Sequence, residues 1–432
     1  MRLIHECLGI ARYAPTWHAA HMRVELINTG SELLVGRVLN THQYWLAQQL
    51  TLMGHTLAHQ QTVPDTGEAI QAAVREAIAR AELVIVTGGL GPTGDDLTRQ
   101  RIAELLDLPL EEHAETRARI TAHFKNRNRP LRETVLVQAQ VPVGATVLRN
   151  DHGTAPGLAL PTPRGWLVLL PGPPRELRPM FTQSVAPLLA KKMPPENPVT
   201  IRTLKTIGVG ETAVEQQITP VLSELMAEGL EIGYCARAGE VDVRLTASAE
   251  GRVERIAQAE AIIREKLGPH IYGVDDEQLE EILVLQLTAS GQTLAVAESC
   301  TGGLLAHRLT NVPGASTVFL AGHCTYSNAA KQNTLGVLAK TLAEHGAVSE
   351  AIARQMAEGA RAMHGADYAL ATTGIAGPDG GTAEKIVGTV FIACATAEGT
   401  DVVNACFTTD RVTFKQLVVQ QAMNELRLKI CK

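Results

Sequence analysis

The chain has no long hydrophobic run. Its longest apolar stretches, such as WLVLLPG at 166–172, are far shorter than the roughly 20 residues that cross a bilayer, so no membrane span is expected. The first 21 residues, MRLIHECLGIARYAPTWHAAH, lack the basic start and apolar block of a secretory signal. Met22 opens the first clear strand pattern, and residues 1–21 read as a poorly ordered extension or as the product of an upstream start codon. Clustered positive charge is also lacking. Net charge is -6, and the 39 Lys and Arg form no cluster of the kind that tracks a phosphate backbone, which disfavours nucleic acid as a partner. The 7 cysteines are scattered and never spaced C-x-x-C. That excludes a disulfide framework or structural zinc site as the organising device and fits a reducing cytoplasm. Internal repeats and low-complexity tracts are absent.

What remains is a folded multidomain chain, because 432 residues at 45% hydrophobic content exceed one ordinary core. From Met22 to about residue 193, strand and helix patterns alternate. RVELINTG and LVIVTGG read as strands, the latter apolar at successive positions as a strand covered on both faces must be. Ile70, Ala73, Val74, Ala77, Ile78 and Ala81 share one helical face. The order predicts an α/β, doubly wound, mostly parallel sheet over 22–193, whose ligands sit beyond the strands' carboxyl ends. KKMPPENPVT reads as a linker. Residues 199–273 give strand, helix, strand, strand, helix, strand, the order of a small split-βαβ α+β domain. From 276 to 432 strand and helix alternate again, a second α/β domain.

Two stretches carry candidate chemistry. TGGLGPTGDD (87–96) follows a buried strand. Its glycines Gly88, Gly89 and Gly91, with Pro92 and Thr93, can bring backbone N–H groups close to a phosphate, and Asp95 and Asp96 could hold a divalent cation. Glu32, at another strand end, adds to that site. The alternative is that the Asp pair caps the following helix. In AVAESCTGGLLAHRL (295–309), Ser299, Cys300 and Thr301 stand in a row after a strand. A helix starting near Thr301 or Gly302 would point free N–H groups of Thr301, Gly302 and Gly303 at an oxyanion. Lys331, after the next strand, could serve as base if desolvation removes its proton. The alternatives are helix capping by Ser299 or Thr301, a packed Cys300 and a solvated Lys331. Thr372, Thr373 and Gly374 in TTGIAGPDGGT lie at a third strand end, a substrate cradle or only a loop. Arg411 could pair with a phosphate or decorate the surface, and Tyr326 could simply pack.

Taken together, GSELLVGRVLNTH, TGGLGPTGDDLT, NDHGTAPG, LLPGPPREL, AESCTGGLLA, TYSNAAKQNTLGV and ATTGIAGPDGGTAEK resemble the CinA family of competence/damage-inducible proteins from Met22 onward. The resemblance implies an amino-terminal domain similar to molybdopterin-binding proteins and a carboxy-terminal nicotinamide-nucleotide amidase. It places a nucleophilic serine at Ser299 and a general-base lysine at Lys331, with no cofactor for the amidase. It implies hydrolysis of nicotinamide mononucleotide to nicotinate mononucleotide and ammonia, which recycles pyridine nucleotides, and on that resemblance Tyr326 becomes a candidate contact of the substrate ring. For the first domain it implies a metal-dependent ADP-ribose pyrophosphatase, a non-catalytic pterin-binding, nucleotide-binding or protein-docking module being the alternative. A homodimer is expected. Ser31, His42, Thr409 and Lys415 depart from the family pattern.

Overall fold

A computed structural model describes residues 22–195 and 198–430; the expectation for residues 1–21 lies outside the described residues. The chain divides into two compact units, 1–199 and 200–432. In the first, a six-stranded sheet runs in the order Thr56–Val63, Arg23–Thr29, Leu83–Thr87, Trp166–Leu170, Gly157–Pro161, Thr146–Leu148. The first four strands are parallel and the last two antiparallel. Leu83–Thr87 is buried along its whole length because helices cover both faces, which explains its unbroken apolar sequence. On one of those helices, Gly67–Arg80, the buried stripe is Ile70, Ala73, Val74 and Ala77. Each fully buried Ile or Val there contributes about 1.5–3 kcal/mol.

The second unit holds two sheets. The smaller has the antiparallel order Leu230–Arg237, Glu240–Ala247, Thr200–Ile207, Ile271–Val274, the split-βαβ arrangement. The larger has the order Phe319–Cys324, Leu294–Glu298, Tyr368–Gly374, Thr389–Ala395, Thr400–Cys406. Its first three strands are parallel, whereas the last two form an antiparallel hairpin at one edge. Ile207 and Tyr272 of the smaller sheet share an apolar cluster with Leu283, Phe414 and Val418, so 200–432 packs as one unit.

Helix Glu350–His364 covers one face of the larger sheet with Ile352, Ala353, Met356, Ala357 and Ala360. The Ser349 hydroxyl accepts from the Ile352 N–H at its start, and Gly365 ends it in the left-handed conformation. Gly359 lies against helix Asn328–Leu335: a Cβ there would stand 2.0 Å from the Leu335 carbonyl oxygen. The close approach that fixes the Lys331 helix therefore admits no side chain at 359. No helix among the described residues is long and apolar enough to cross a membrane.

Candidate active site and nucleotide cradle

Ser299 and Lys331 meet. Ser299 follows the fully buried strand Leu294–Glu298, and Lys331 follows its parallel neighbour Phe319–Cys324. Parallel pairing puts both carboxyl ends on one side of the sheet. Helix Asn328–Leu335 is capped by the Ser327 hydroxyl, which accepts from the Ala330 N–H, and it buries Lys331 at 1% exposure. The lysine Nζ lies 2.9 Å from Ser299 Oγ, 2.8 Å from the Thr325 carbonyl oxygen and 3.3 Å from that of Tyr326. Burial holds its pKa below the usual lysine value, against a smaller opposing pull from the Cys300 and Cys324 thiols. A neutral amine has two N–H bonds and one lone pair, which matches two carbonyls and one hydroxyl.

Cys300 is 6% exposed within the apolar cluster, and burial pushes its thiol up to about 12. It is a protonated, packed neighbour. The Thr301 and Thr372 hydroxyls are fully buried and bond each other at 2.8 Å, tying the turn to the adjacent strand. Thr373 donates to the Ala347 carbonyl at 2.7 Å. The hydroxyls of Thr372 and Thr373 are thus committed to the frame and not turned to a substrate. The helix begins at Leu304, later than the sequence reading placed it, because Gly302 and Gly303 are left-handed at φ +61° and +93°.

Glu298 was not singled out by the sequence, yet it organises this turn. Its buried carboxylate accepts from the N–H groups of Gly303 (2.9 Å), Leu305 (3.1 Å) and Ala306 (2.9 Å). Gly303 is therefore removed from the expected oxyanion donors, while the Thr301 and Gly302 N–H groups have no hydrogen-bond partner among the described residues. The signal was an acidic residue just before a helix start, where negative charge meets free N–H groups. Arg411, at the head of helix Arg411–Ile430, donates to the Gly377 carbonyl (2.7 Å) and the Tyr326 hydroxyl (2.8 Å), so the two expected substrate contacts stand side by side. The Lys415 ammonium approaches the turn, 3.6 Å from where a Cβ of Gly302 would be. Gly374 packs against Thr389 and Val390, where a Cβ would come within 3 Å of backbone.

In the first unit the strand-end turn is built by sterics. A Cβ on Gly88 would lie 2.6 Å from Thr29 Oγ1, and one on Gly89 2.1 Å from Thr98 Oγ1. Both glycines have positive φ. Asp96 accepts from the Thr93 N–H (3.0 Å) and hydroxyl (2.5 Å), closing the turn. Helix Thr98–Leu105 has no side-chain cap, so neither Asp95 nor Asp96 plays the capping role. Asp95 is exposed, and its pKa is lowered by a hydrogen bond with Thr93. Among the described residues no group of three or more His, Cys, Asp or Glu side chains could hold a metal. A magnesium-like ion needs only one or two carboxylates beside phosphate oxygens and waters, so exposed Asp95, with the free oxygen of Asp96, suits such an ion in kind and not a zinc-like one. Glu32 is exposed on the single turn Ser31–Leu34 at the end of the neighbouring strand. His42 Nε2 lies 2.6 Å from the Gly172 carbonyl oxygen and anchors the PGPP loop, whose Gly172 approaches Gly88.

The sequence did not reveal the charge around this cradle. Arg99 is 4% exposed beneath the glycine turn, with one guanidinium nitrogen near the Leu90 carbonyl (3.4 Å) and its Nε unpartnered. A cavity of about 360 Å³ is lined by Arg127, Arg129, Arg175, His123 and His152, with Glu176 in its wall. Asn150 donates to Glu176 at 2.8 Å, and Gly153 sits so tightly on that carboxylate that a Cβ would lie 1.9 Å from it.

These features define an α/β protein with a serine and a buried lysine paired at strand ends in one unit, and a glycine-built strand-end turn and a cationic cavity in the other. Three family models match the chain: "Probable molybdopterin binding domain" at 25–191, "Damage-inducible protein CinA KH domain" at 201–273 and "CinA C-terminal domain" at 276–430. A CinA-like protein of Akkermansia muciniphila is 43% identical, over 93% of this chain and 96% of its own. A putative competence-damage inducible protein of Symbiobacterium thermophilum is 47% identical, over 87% and 88%. The solved competence/damage inducible protein CihA from Agrobacterium tumefaciens is 39% identical, covering 36% of this chain and 94% of that one, with a TM-score of 0.34. The chain belongs to the CinA family.

Proposed function

We propose that the carboxy-terminal domain hydrolyses the carboxamide of nicotinamide mononucleotide, releasing ammonia and nicotinate mononucleotide. The observation that carries this reading is the 2.9 Å contact between Ser299 Oγ and the buried Lys331 Nζ. Neutral Lys331 takes the hydroxyl proton as Ser299 attacks the carboxamide carbon, then delivers it to the departing nitrogen. The Thr301 and Gly302 N–H groups receive the oxyanion, and water hydrolyses the acyl-serine. Tyr326 stands against the ring, with Arg411 toward the phosphate. Ammonia release from nicotinamide mononucleotide by purified protein tests the reading. Ser299→Ala lowers it by about 10³-fold or more, and wild-type turnover by that variant rejects the assignment.

For the amino-terminal domain the cationic cavity favours binding of the ADP-ribose diphosphate, as its hydrolysis would require, over a purely protein-docking role, since arginines pair with phosphate oxygens. Asp95 and Asp96 would hold a divalent cation jointly with the diphosphate, where it neutralises charge. The chain's own groups bind and orient: the Gly88–Gly91 turn approaches the phosphates and the arginine cavity holds them. AMP and ribose 5-phosphate appearing from ADP-ribose supports hydrolysis, whereas saturable binding without products favours the pterin- or nucleotide-binding module.

A further inference from the structure

The cationic cavity has a continuation. A second cavity, of about 220 Å³, is lined by His113, Thr116, Arg119, Val147 and Arg149 among others. Helix Ala114–Asn126 serves both: Thr116 and Arg119 border the second, while His123 and, just past the helix end, Arg127 border the first. Positions 119, 123 and 127 repeat every four residues and so form one stripe. The facing wall advances the same way, from Ala145–Arg149 on and beside the edge strand to His152–Thr154. The two cavities thus follow one another along the same helix and the same facing segment, about 12 Å from Arg119 to Arg127 at 1.5 Å per residue, and we read them as one cleft.

Arg119 is the unusual member. Its Nε and Nη2 are buried with no hydrogen-bond partner. Burial and the nearby Arg149 both lower its pKa, with Asp151 and Glu115 pulling the other way. Arg149 is 69% exposed at its side chain and pairs with Asp151 at 2.6 Å. Buried guanidinium N–H groups without acceptors are costly, and a phosphate with several acceptor oxygens satisfies two such groups at once.

We propose that this cleft receives a nucleoside diphosphate derivative bearing a further phosphate on the ribose of its nucleoside. The diphosphate lies against Arg127, Arg129 and Arg175, and the further phosphate lies between Arg119 and Arg149. This assignment rests on the nucleotide reading of the amino-terminal domain. It is tested by calorimetry on the full chain with chelator present, comparing ADP-ribose with ADP-ribose 2′-phosphate. The 2′-phosphate binds about tenfold tighter at low salt, and R119M and R149Q each bring that ratio to about two. Because Arg149 is largely exposed, R149Q remains informative even where R119M fails to fold. Equal affinities, a ratio that survives both substitutions, or no binding of either ligand overturns the proposal. An intact binding ratio without ADP-ribose hydrolysis retains the cleft and rejects the hydrolase; hydrolysis with a ratio of one does the reverse.

Discussion

Both candidate sites use the carboxyl ends of parallel strands, but they treat charge in opposite ways. At Ser299 the side chains are partnered within the protein: Lys331 is enclosed, Glu298 is consumed by three N–H groups, and Thr301 and Thr372 bond each other. In the first unit the arginines of the larger cavity line open space, and Arg119, in the smaller cavity, is left with unpartnered nitrogens. Covalent attack requires a nucleophile and base already in register, so the protein completes that geometry itself. On the proposed reading, phosphate recognition would leave part of the charge pattern to the ligand, which is consistent with like charges standing close together there.

The largest expected effect falls on the self-contained site. Lys331→Met lowers ammonia release by about 10³-fold, and in the parent the rate rises with pH through an apparent pKa below the ordinary lysine value of 10.5. The sign follows from burial: the amine is the form the fold favours, and activity falls as pH drops through the folded-state pKa. Stability moves in the same direction. Between the lowered folded pKa and the unfolded value of 10.5, the unfolded chain binds more protons, so stability rises with pH in that window and is lost as pH falls through it. The Met variant loses this slope in denaturant titrations; an unchanged slope means that Lys331 is not desolvated.

At the open site the corresponding loss is smaller because several cations share the ligand. Replacing Arg127 and Arg129 together by Met weakens ADP-ribose binding by roughly 10- to 100-fold, and the remaining affinity falls less with added salt than that of the parent. Parent-like affinity and salt dependence would remove the cavity from the site. Glu298→Ala makes a structural version of the same comparison. It strands three N–H groups at a buried helix start and costs about 3 kcal/mol, read as a melting-temperature drop of several degrees.

The strand ends were legible in the sequence because buried parallel strands are apolar at every position and break off into glycine. The structure has Ser299, Gly88 and Gly89 directly after such strands, and Lys331 on the helix that follows the neighbouring one. Contacts across long separations were not legible. The Thr301–Thr372 pair joins residues 71 apart, and Arg127 and Arg175 line one cavity from distant parts of the chain. The hairpin Thr389–Cys406 was read as part of a simple alternation, since a continuous apolar run such as TVFIACA fits either strand direction. The shared core of the middle and last sheets was equally invisible, because Ile207 and Tyr272 look like ordinary interior residues of their own domain.

The smallest expected effect separates the neighbours of the row Ser299, Cys300 and Thr301. Cys300→Ala keeps ammonia release within about twofold of the parent, because a thiol pushed up to about 12 contributes essentially no thiolate at neutral pH. Its cost is to packing alone, at most about 1.5 kcal/mol for one small buried group. The same burial predicts that iodoacetamide at pH 8 labels exposed Cys235, Cys324 and Cys406 before Cys300, as mass spectrometry of tryptic peptides would show. Loss of ammonia release in Cys300→Ala comparable to that in Ser299→Ala would transfer the nucleophile to sulfur. Lys331 would then hold a thiolate as its counter-ion, and the neutral-amine mechanism would fail with it.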